Sequence, residues 1–317
     1  EEDVAGWSNE AFLERCKLIR DGRLTRATIL LLGKPESAHL LTPHPAQLTW
    51  KLDDGGNQAY EHFGPPFLLN TTALYNKIRN FQIRILPDDA LLPVEISKYD
   101  QKIVLEGLHN CIAHQNYQKN GRVIVKENGN KLVFENEGSF FEGLPEDYLM
   151  GEKTPRKYRN PFLAQAMAEL NMIDTMGYGI HRMNIAQANR FLPLPDYDLS
   201  EPHSVKMTIY SQVVDASYSR LLIQKTDLSL DIISALDRVQ KKLPIPDKTL
   251  TQLRRAKLVE GRKPNIHISA KIARITGNKA KYINIRPLED IHYIKLIKDY
   301  LKEFGETSKK DVNAFLY

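Results

Sequence analysis

The segment EGLHNCIAHQNY places three reactive side-chain types at one regular spacing. In a helix, Glu106, Asn110 and His114 stand at i, i+4 and i+8 and form one polar stripe. The apolar residues around them share a neighbouring face: Ile103, Val104, Leu108, Cys111 and Ile112. Lys102 and His109 are predicted on the solvent side. A carboxylate accepts protons and an amide oxygen binds hard cations, so the stripe is a candidate reactive surface. The alternative is a partly buried helix end whose polar row is satisfied.

The composition is that of a folded protein with two or three domains. The chain has 317 residues, of which 42% are hydrophobic. Its two cysteines, Cys16 and Cys111, exclude a disulfide framework and a zinc-type cysteine cluster, which suits a reducing cytosol. The apolar run ATILLLG is too short for a membrane span, and no signal peptide opens the chain. We therefore expect a cytoplasmic protein without a membrane segment. The start without Met and the end inside a helical pattern suggest part of a longer chain.

The positive charge is concentrated in the C-terminal part of the chain. Residues 219–317 contain 21 Lys and Arg against 11 Asp and Glu, a net charge of +10. The other residues carry a net charge of −5. This asymmetry indicates that the C-terminal part meets a polyanion, or that it presents a solvated basic face.

Several common catalytic motifs are missing from the sequence. LLGKPES contains Gly-Lys but neither the upstream glycine of a P-loop nor Ser or Thr after the lysine. No helicase motor motif, G-x-S-x-G or H-E-x-x-H is present. The sequence therefore excludes P-loop, serine-hydrolase and zinc-peptidase chemistry of these types.

Alternating and helical patterns predict the elements that would position the stripe. Residues 8–20 predict a helix after a Ser8 N-cap, and ATILLLG and AQLTWKL predict strands. Residues 121–138 predict a hairpin that turns at Asn128–Gly129. A segment rich in turn formers then leads to MGYGIHRMNIAQANRF, a glycine turn that opens a helix, and SVKMTIY predicts a further strand.

This order of helix, hairpin, turn-rich segment and glycine turn resembles the GHKL ATPases, the superfamily of gyrase B, MutL and histidine kinases. Within it, the chain is most similar to the divergent RecG-like C-terminal, Schlafen AlbA-associated branch. The segments that carry the resemblance are EGLHNCIAHQNY, NEG, RNPFLAQAMAELNMIDTMGYGIHRM and LVEGR. It covers roughly residues 20–215 and extends into the C-terminal part. The resemblance implies an α/β (α+β) fold with a GHKL, or Bergerat-type, α/β sandwich that binds ATP and Mg²⁺.

The resemblance also implies roles for the helix stripe. Glu106 would be the general base for the attacking water, and Asn110 would supply a carbonyl oxygen to Mg²⁺. One helical turn separates them, which puts both on the side where water and metal meet. For His114 taken by itself, a capping or supporting role in the nucleotide site is expected rather than that of a metal ligand or proton relay.

Further nucleotide-binding residues follow from the later segments. Asn136 and Gly138 stand where the family has a D-x-G motif, and an Asn carbonyl can accept the adenine hydrogen bond without the charge. A plain strand-ending turn is the alternative. Gly177 and Gly179 would let backbone approach phosphate oxygens at a helix N-terminus. The segment GEKTPRKYRNP would form a lid whose basic side chains either contact phosphates or stay solvated. Arg159 is the one predicted to bind nucleotide.

The C-terminal part predicts a winged helix. LSLDIISALDRVQ is one helix, DKTLTQLRRAKLV is a second behind an Asp247 N-cap, and EGRKPNIHIS follows as a wing. Leu250, Leu253 and Leu258 are predicted to point inward. The residues predicted to contact double-stranded DNA are Lys248, Thr251, Gln252, Arg255, Arg262 and Lys263. A winged helix used only for protein contacts or dimerisation is the alternative.

Together these patterns predict an N-terminal α/β region (1–92), a nucleotide-binding domain (93–215), a winged helix (216–287) and a truncated helical module (288–317). The favoured function is an ATP-binding regulator coupled to DNA, such as a transcriptional regulator or genome-defence factor. Hydrolysis of ATP and homo-oligomerisation are left open. One alternative is a DNA-binding transcriptional regulator whose GHKL fold is only a scaffold. Another is a nucleic-acid processing enzyme whose active domain lies upstream.

Overall fold

The computed structural model of the protein describes residues 4–43, 46–85 and 94–269. The predicted helical module and the end of the predicted winged helix (270–287) lie outside these residues. The α-helices are α1 (Asn9–Arg15), α2 (Arg26–Leu32), α3 (Phe67–Tyr75), α4 (Gln101–His114), α5 (Pro161–Glu169), α6 (Tyr178–Asn189), α7 (Ala216–Gln224), α8 (Leu230–Gln240) and α9 (Asp247–Arg255). In the part of the chain that is described, every helix is too short or too polar to span a bilayer.

Half of the described strands form one mixed sheet of six strands, in the order β4-β3-β7-β8-β10-β9. The strands are β1 (Ile19–Arg20), β2 (Arg23–Leu24), β3 (Leu48–Asp54), β4 (Asn57–Phe63), β5 (Gln82–Ile85), β6 (Val94–Ser97), β7 (Val123–Glu127), β8 (Lys131–Glu137), β9 (Asp196–Asp198), β10 (Ser204–Tyr210), β11 (Val259–Arg262) and β12 (Asn265–Ile268). In this sheet β3 and β7 are parallel, and the other neighbours are antiparallel. The protein therefore has a mixed α/β architecture, as the sequence predicts.

The chain divides into two compact units. The first is Glu1–Asn80, Tyr99–Ala186 and Leu194–Gln212, and the second is Phe81–Lys98, Gln187–Pro193 and Val213–Tyr317. The six-stranded sheet belongs to the first unit and crosses the boundary predicted at residue 92, because β3 and β4 come before it and β7 after it. The last stretch of the second unit begins close to the predicted boundary at residue 216.

Helix α4 packs on the sheet through the apolar face that its sequence predicts. Ile103, Val104, Leu108 and Ile112 are all buried, and so are alternate residues of β8. Gly107 permits this close approach, because a Cβ there would lie 2.4 Å from Cε of Met207 on β10. The buried face of α4 therefore fixes its polar stripe at the edge of the core.

Two local predictions have different outcomes in the N-terminal region. The Ser8 N-cap is confirmed, since its Oγ accepts a hydrogen bond from Ala11 N at 3.1 Å. The strand predicted for ATILLLG is wrong, because the segment forms α2. Thr25 caps that helix through a capping box with Thr28, and the residues buried on α2 include Ala27, Leu30 and Leu31, which have helical spacing.

In the second unit, α8 and α9 are followed by a hairpin of β11 and β12. Leu250, Leu253 and Leu258 are buried, which confirms the predicted inward face. The predicted cap is wrong by one residue: Pro246 is the N-cap of α9, and Asp247 is the first helical residue. Its carboxylate still lies in the first turn of α9, where its negative charge interacts favourably with the helix dipole.

Candidate functional site

One cavity in the first unit brings the helix stripe and the glycine turn together. It has a volume of about 120 Å³ and opens to solvent. Its lining includes the predicted base Glu106 and five of the residues predicted to bind nucleotide: Asn110, His114, Asn136, Gly177 and Gly179. The structure thus brings together residues from α4, β8 and the start of α6, and their roles remain predictions.

Glu106 and Asn110 form a hydrogen-bonded pair at the wall of this cavity. Asn110 Nδ2 donates to Glu106 Oε1 at 3.1 Å. Burial raises the pKa of Glu106, and the nearby Asp174 raises it further, whereas the Asn110 bond and Arg182 act in the opposite direction. Because the amide nitrogen of Asn110 faces Glu106, its Oδ1 is available to a cation or a donor.

The glycines before and in α6 bring backbone into contact with the pair. Gly177 has a φ of +87°, and a Cβ there would lie 2.7 Å from the carbonyl oxygen of Lys153. A Cβ on Gly179 would lie 2.2 Å from Glu106 Oε1. The first turn of α6 therefore reaches the acid only because residue 179 has no side chain.

His114 is the last residue of α4 and is held by the segment that follows β8. Its ring stacks on that of Tyr158, with centroids 5.8 Å apart and planes at 19°. Burial lowers the pKa of His114 to about 4, and the Arg159 charge acts in the same direction. The imidazole is therefore neutral at pH 7 and offers one donor and one acceptor.

Arg159 supports the end of α4 and lines a different cavity. Its Nε donates to the carbonyl oxygen of His114 at 3.1 Å, and its Nη2 donates to that of Ser139 at 2.9 Å. Among the described residues it lines a second cavity and not the one beside Glu106. Its predicted contact with nucleotide therefore has no support from this geometry.

Asn136 and Gly138 lie at the end of β8 with different surroundings. Asn136 is 5% exposed, lines the cavity and donates from Nδ2 to the carbonyl oxygen of Glu137 at 3.2 Å. Gly138 has a φ of +112°, and its N–H donates to His203 O at 2.7 Å. Gly138 is not among the described residues that line the cavity, so its position is that of a strand-ending turn.

The cover of the cavity is more aromatic than the sequence prediction supposed. Phe140, Phe141, Tyr148 and Tyr158 line it from the segment between β8 and α5. The prediction of a lid rested on the basic residues of this segment, whereas the FF pair in SFFEG was the sequence signal for the aromatic ones. We call residues 139–160 the cover segment.

The predicted solvent position of His109 is wrong. Its Nδ1 lies 2.8 Å from the carbonyl oxygen of Met172, and burial lowers its pKa. The connection between α5 and α6 therefore covers a side of α4 that the helical pattern alone assigned to solvent.

The residues predicted to contact DNA are all exposed in the second unit: Lys248, Thr251, Gln252, Arg255, Arg262 and Lys263. Arg254 Nη2 donates to Gly261 O at 2.9 Å, which joins α9 to β11. Lys263 Nζ lies 2.6 Å from Asp247 Oδ1 at the start of α9. Lys263 thus has an acidic neighbour that the sequence analysis did not pair with it.

The part of the chain that the structure describes contains no metal site built from protein ligands alone. No group of three or more His, Cys, Asp or Glu there could hold a metal ion. Mg²⁺, however, usually takes one or two protein oxygens and completes its shell with water and substrate phosphates. Asn110 fits that kind of site.

Comparisons with known proteins agree with this fold. The family described as "Putative ATP-dependent DNA helicase recG C-terminal" matches residues 121–209, from β7 to β10. Glu106, Asn110 and His114 precede the matched residues. The DIP2311 protein from Corynebacterium diphtheriae has a similar structure, with 17% sequence identity and a TM-score of 0.55 over 87% of this chain. The similarity spans 61% of that protein, and no curated protein sequence matches. The matched region is thus similar to an ATPase-like domain of GHKL type.

Proposed function

We propose that the first unit binds ATP with Mg²⁺ in the cavity beside α4, and that the protein is an ATP-binding regulator coupled to DNA. The observation that carries this proposal is the contact of Gly179 with the Glu106–Asn110 pair. It puts a carboxylate, an amide oxygen and the N-terminus of a twelve-residue helix in one cavity. Such a helix end favours anionic phosphate.

Asn110 would hold Mg²⁺ through Oδ1, because its Nδ2 is directed at Glu106. Because Gly179 has no side chain, space remains beside Glu106 and Asn110 for phosphate oxygens to approach the backbone. A Cβ at residue 179 would fill that space. When bound, Mg²⁺ supplies electrostatic stabilisation to the phosphate groups.

Glu106 would accept the proton of the attacking water. Burial raises its pKa, and a base is most effective when its pKa lies nearer the working pH. The Asn110 bond fixes the carboxylate at 3.1 Å from the amide nitrogen, so the base and the metal ligand keep one relative position.

Asn136 would face the adenine end of the nucleotide. It is buried, lines the cavity and shares the inner face of β8 with Phe134. Its amide can accept from an amino group or donate to a carbonyl, according to its orientation. Adenine recognition at this position would therefore use an uncharged group.

The cover segment would move outward when nucleotide binds. A volume of about 120 Å³ is smaller than the roughly 300–1,000 Å³ of ordinary ligand pockets. The contacts that hold the cover include the Lys153–Asp147 pair and the bonds from the Arg156 and Lys157 N–H groups to Glu142. These contacts are exposed and therefore weak.

DNA binding would belong to the second unit. The exposed residues of α9 and of the β11–β12 hairpin lie in the region that carries a net charge of +10. The order of two helices and a hairpin fits the predicted winged helix, in which Gln252 would read base edges. Protein contacts through the same surface are the alternative.

The test of the catalytic part is Glu106→Gln, with exposed Glu169→Gln as its matched control. Glutamine keeps the shape and removes the proton acceptor, so we expect ATP binding to persist while turnover falls by about 10²–10⁴-fold. Unchanged turnover in Glu106→Gln would contradict the base assignment. If the wild-type protein binds ATP without hydrolysing it, ATPase activity is excluded and the protein would act only as an ATP sensor.

A further inference from the structure

A second cavity in the first unit is lined by three arginines from separate segments. Arg20 comes from β1, Arg26 from the start of α2 and Arg159 from the residues before α5. Its volume of about 430 Å³ lies within the range of ligand pockets. No Asp or Glu lines it among the residues that the structure describes. Positive charge there is thus not neutralised by the walls.

The guanidinium groups keep donors available for a ligand. The Arg26 guanidinium makes no hydrogen bond or ion pair with any described residue. The Arg159 guanidinium donates to His114 and Ser139 through Nε and Nη2 and lies 4.9 Å from the ring centroid of Phe141, whereas its Nη1 has no bond to any described residue. Arg20 Nε lies 3.7 Å from Asp21 Oδ2, and both side chains are largely exposed. An exposed pair at this distance is weak, so it leaves the Arg20 guanidinium able to bind an anion at the cavity.

The rest of the wall is apolar or aromatic. Ala27, Leu30 and Leu41 are buried at the cavity, and the Arg20 guanidinium lies 4.6 Å from the ring centroid of Phe162. Tyr117 also lines the cavity, and its hydroxyl donates a hydrogen bond to the carbonyl oxygen of Ile112 at 2.9 Å. A ligand would therefore meet cations at one part and hydrocarbon or aromatic faces at another.

The start of α5 adds to the positive potential. Asn160 is the N-cap but its side chain does not cap the helix, because Nδ2 donates to the carbonyl oxygens of Ala113 and Gln115. Pro161 follows without an N–H. Among the described residues, the first-turn N–H groups of α5 therefore have no side-chain acceptor, which leaves the positive end of the dipole at the cavity wall.

We propose that this second cavity binds a small organic phosphate monoester with an aromatic or apolar body. Three guanidinium groups match the charge and the several acceptor oxygens of a phosphate monoester better than a single carboxylate. The apolar wall would take the rest of the ligand. The site is separate from the cavity beside Glu106, and Arg159 joins their surroundings through its bond to His114 O.

Phenyl phosphate is the probe, titrated calorimetrically into the intact chain beside phenol and inorganic phosphate. We expect phenyl phosphate to bind more tightly than either, because only it satisfies both parts of the wall. Arg20→Ala with Arg26→Ala should weaken it by about tenfold or more, the loss expected when bonds to a charged group are removed. Arg23→Ala on β2, exposed and outside the cavity lining, is the matched control and should bind normally.

Asn110→Ala separates this proposal from ATP binding. It should leave phenyl phosphate affinity unchanged, since Asn110 lines only the first of the two cavities. Loss of phenyl phosphate binding in Asn110→Ala would place the ligand in the cavity beside Glu106 and overturn the proposal. No binding to the wild type, or equal binding by the double arginine variant with an unchanged melting temperature, would also overturn it. A 5′-phosphorylated dinucleotide that binds where phenyl phosphate does not would exclude the small-molecule ligand.

Discussion

Gly179 and Glu106 are in contact: a Cβ atom on Gly179 would lie 2.2 Å from Glu106 Oε1. The same atom would lie 3.4 Å from Asn110 Nδ2. The N-terminal turn of α6 therefore meets the acid–amide pair of α4 through backbone alone. Any side chain at residue 179 must displace the carboxylate or the helix.

We predict that Gly179→Ala weakens Mg–ATP binding by at least about tenfold, because Glu106 must move to accommodate the methyl group. Alanine is otherwise favoured over glycine in a helix by roughly 1 kcal/mol, so loss of helix propensity is not the cause. Calorimetric titration measures the affinity. Gly64→Ala, where a Cβ meets nothing within 4 Å, is the control. Normal ATP affinity in Gly179→Ala would show that this contact does not shape the site.

His114 should make the stability of the fold sensitive to acid. Its pKa is lowered from 6.5 to about 4, so the unfolded chain binds the proton more readily than the folded one. The stability that depends on neutral His114 is full above pH 6.5 and is lost as the pH falls to about 4, by roughly 3 kcal/mol.

Urea unfolding at pH 7.5 and pH 4.5 tests this prediction. We expect His114→Gln to lose less unfolding free energy between the two pH values than the wild type does. His203→Gln, at an exposed position, should follow the wild type. An identical pH dependence in His114→Gln and wild type would mean that His114 is hydrated in solution.

The ion pair of Asp247 with Lys263 gives the DNA proposal a specific test. Asp247→Asn releases the Lys263 ammonium and removes a negative charge, so we expect tighter duplex binding and a steeper dependence on salt. Removing Arg262 and Lys263 together should reduce the log–log salt slope by about two. Gln252→Ala should alter sequence preference and leave the slope nearly unchanged.

Binding to duplex DNA is measured by fluorescence anisotropy over a salt series. Asp231→Asn, in the first turn of α8, is the matched acid-to-amide control. The buried Leu250 and Leu253 face must stay folded in every variant, which melting temperature monitors. A salt slope near zero for the wild type would show that the basic region serves another partner.

The sequence predicted the parts of the site that local periodicity controls. The buried face of α4, the hairpin that turns near Asn128–Gly129 and the inward leucines of α9 all follow from residue spacing. Strand β4 was not predicted, because its residues are mostly exposed and lack alternation at the sheet edge. The strand predicted at α2 failed because a short apolar run fits either structure until its cap is seen.

The remaining features depend on contacts between segments far apart in the chain. The pairing of β3 with β7 joins regions that the sequence analysis had divided at residue 92. His109 appeared solvent-facing because the segment that covers it, near Met172, comes 63 residues later. The arginine cavity was not predicted either, since Arg20, Arg26 and Arg159 form no sequence motif. Helical and strand periods do not encode such tertiary proximity.

The most direct test of the central proposal is a calorimetric titration of ATP into wild type and Asn110→Ala, with and without Mg²⁺. If Asn110 Oδ1 binds Mg²⁺, the variant should lose about 1–3 kcal/mol of Mg–ATP affinity and less in the absence of metal. The exposed Asn57→Ala on β4 should match the wild type. Equal Mg–ATP affinity in wild type and Asn110→Ala, or no ATP binding to the wild type, would contradict the proposal.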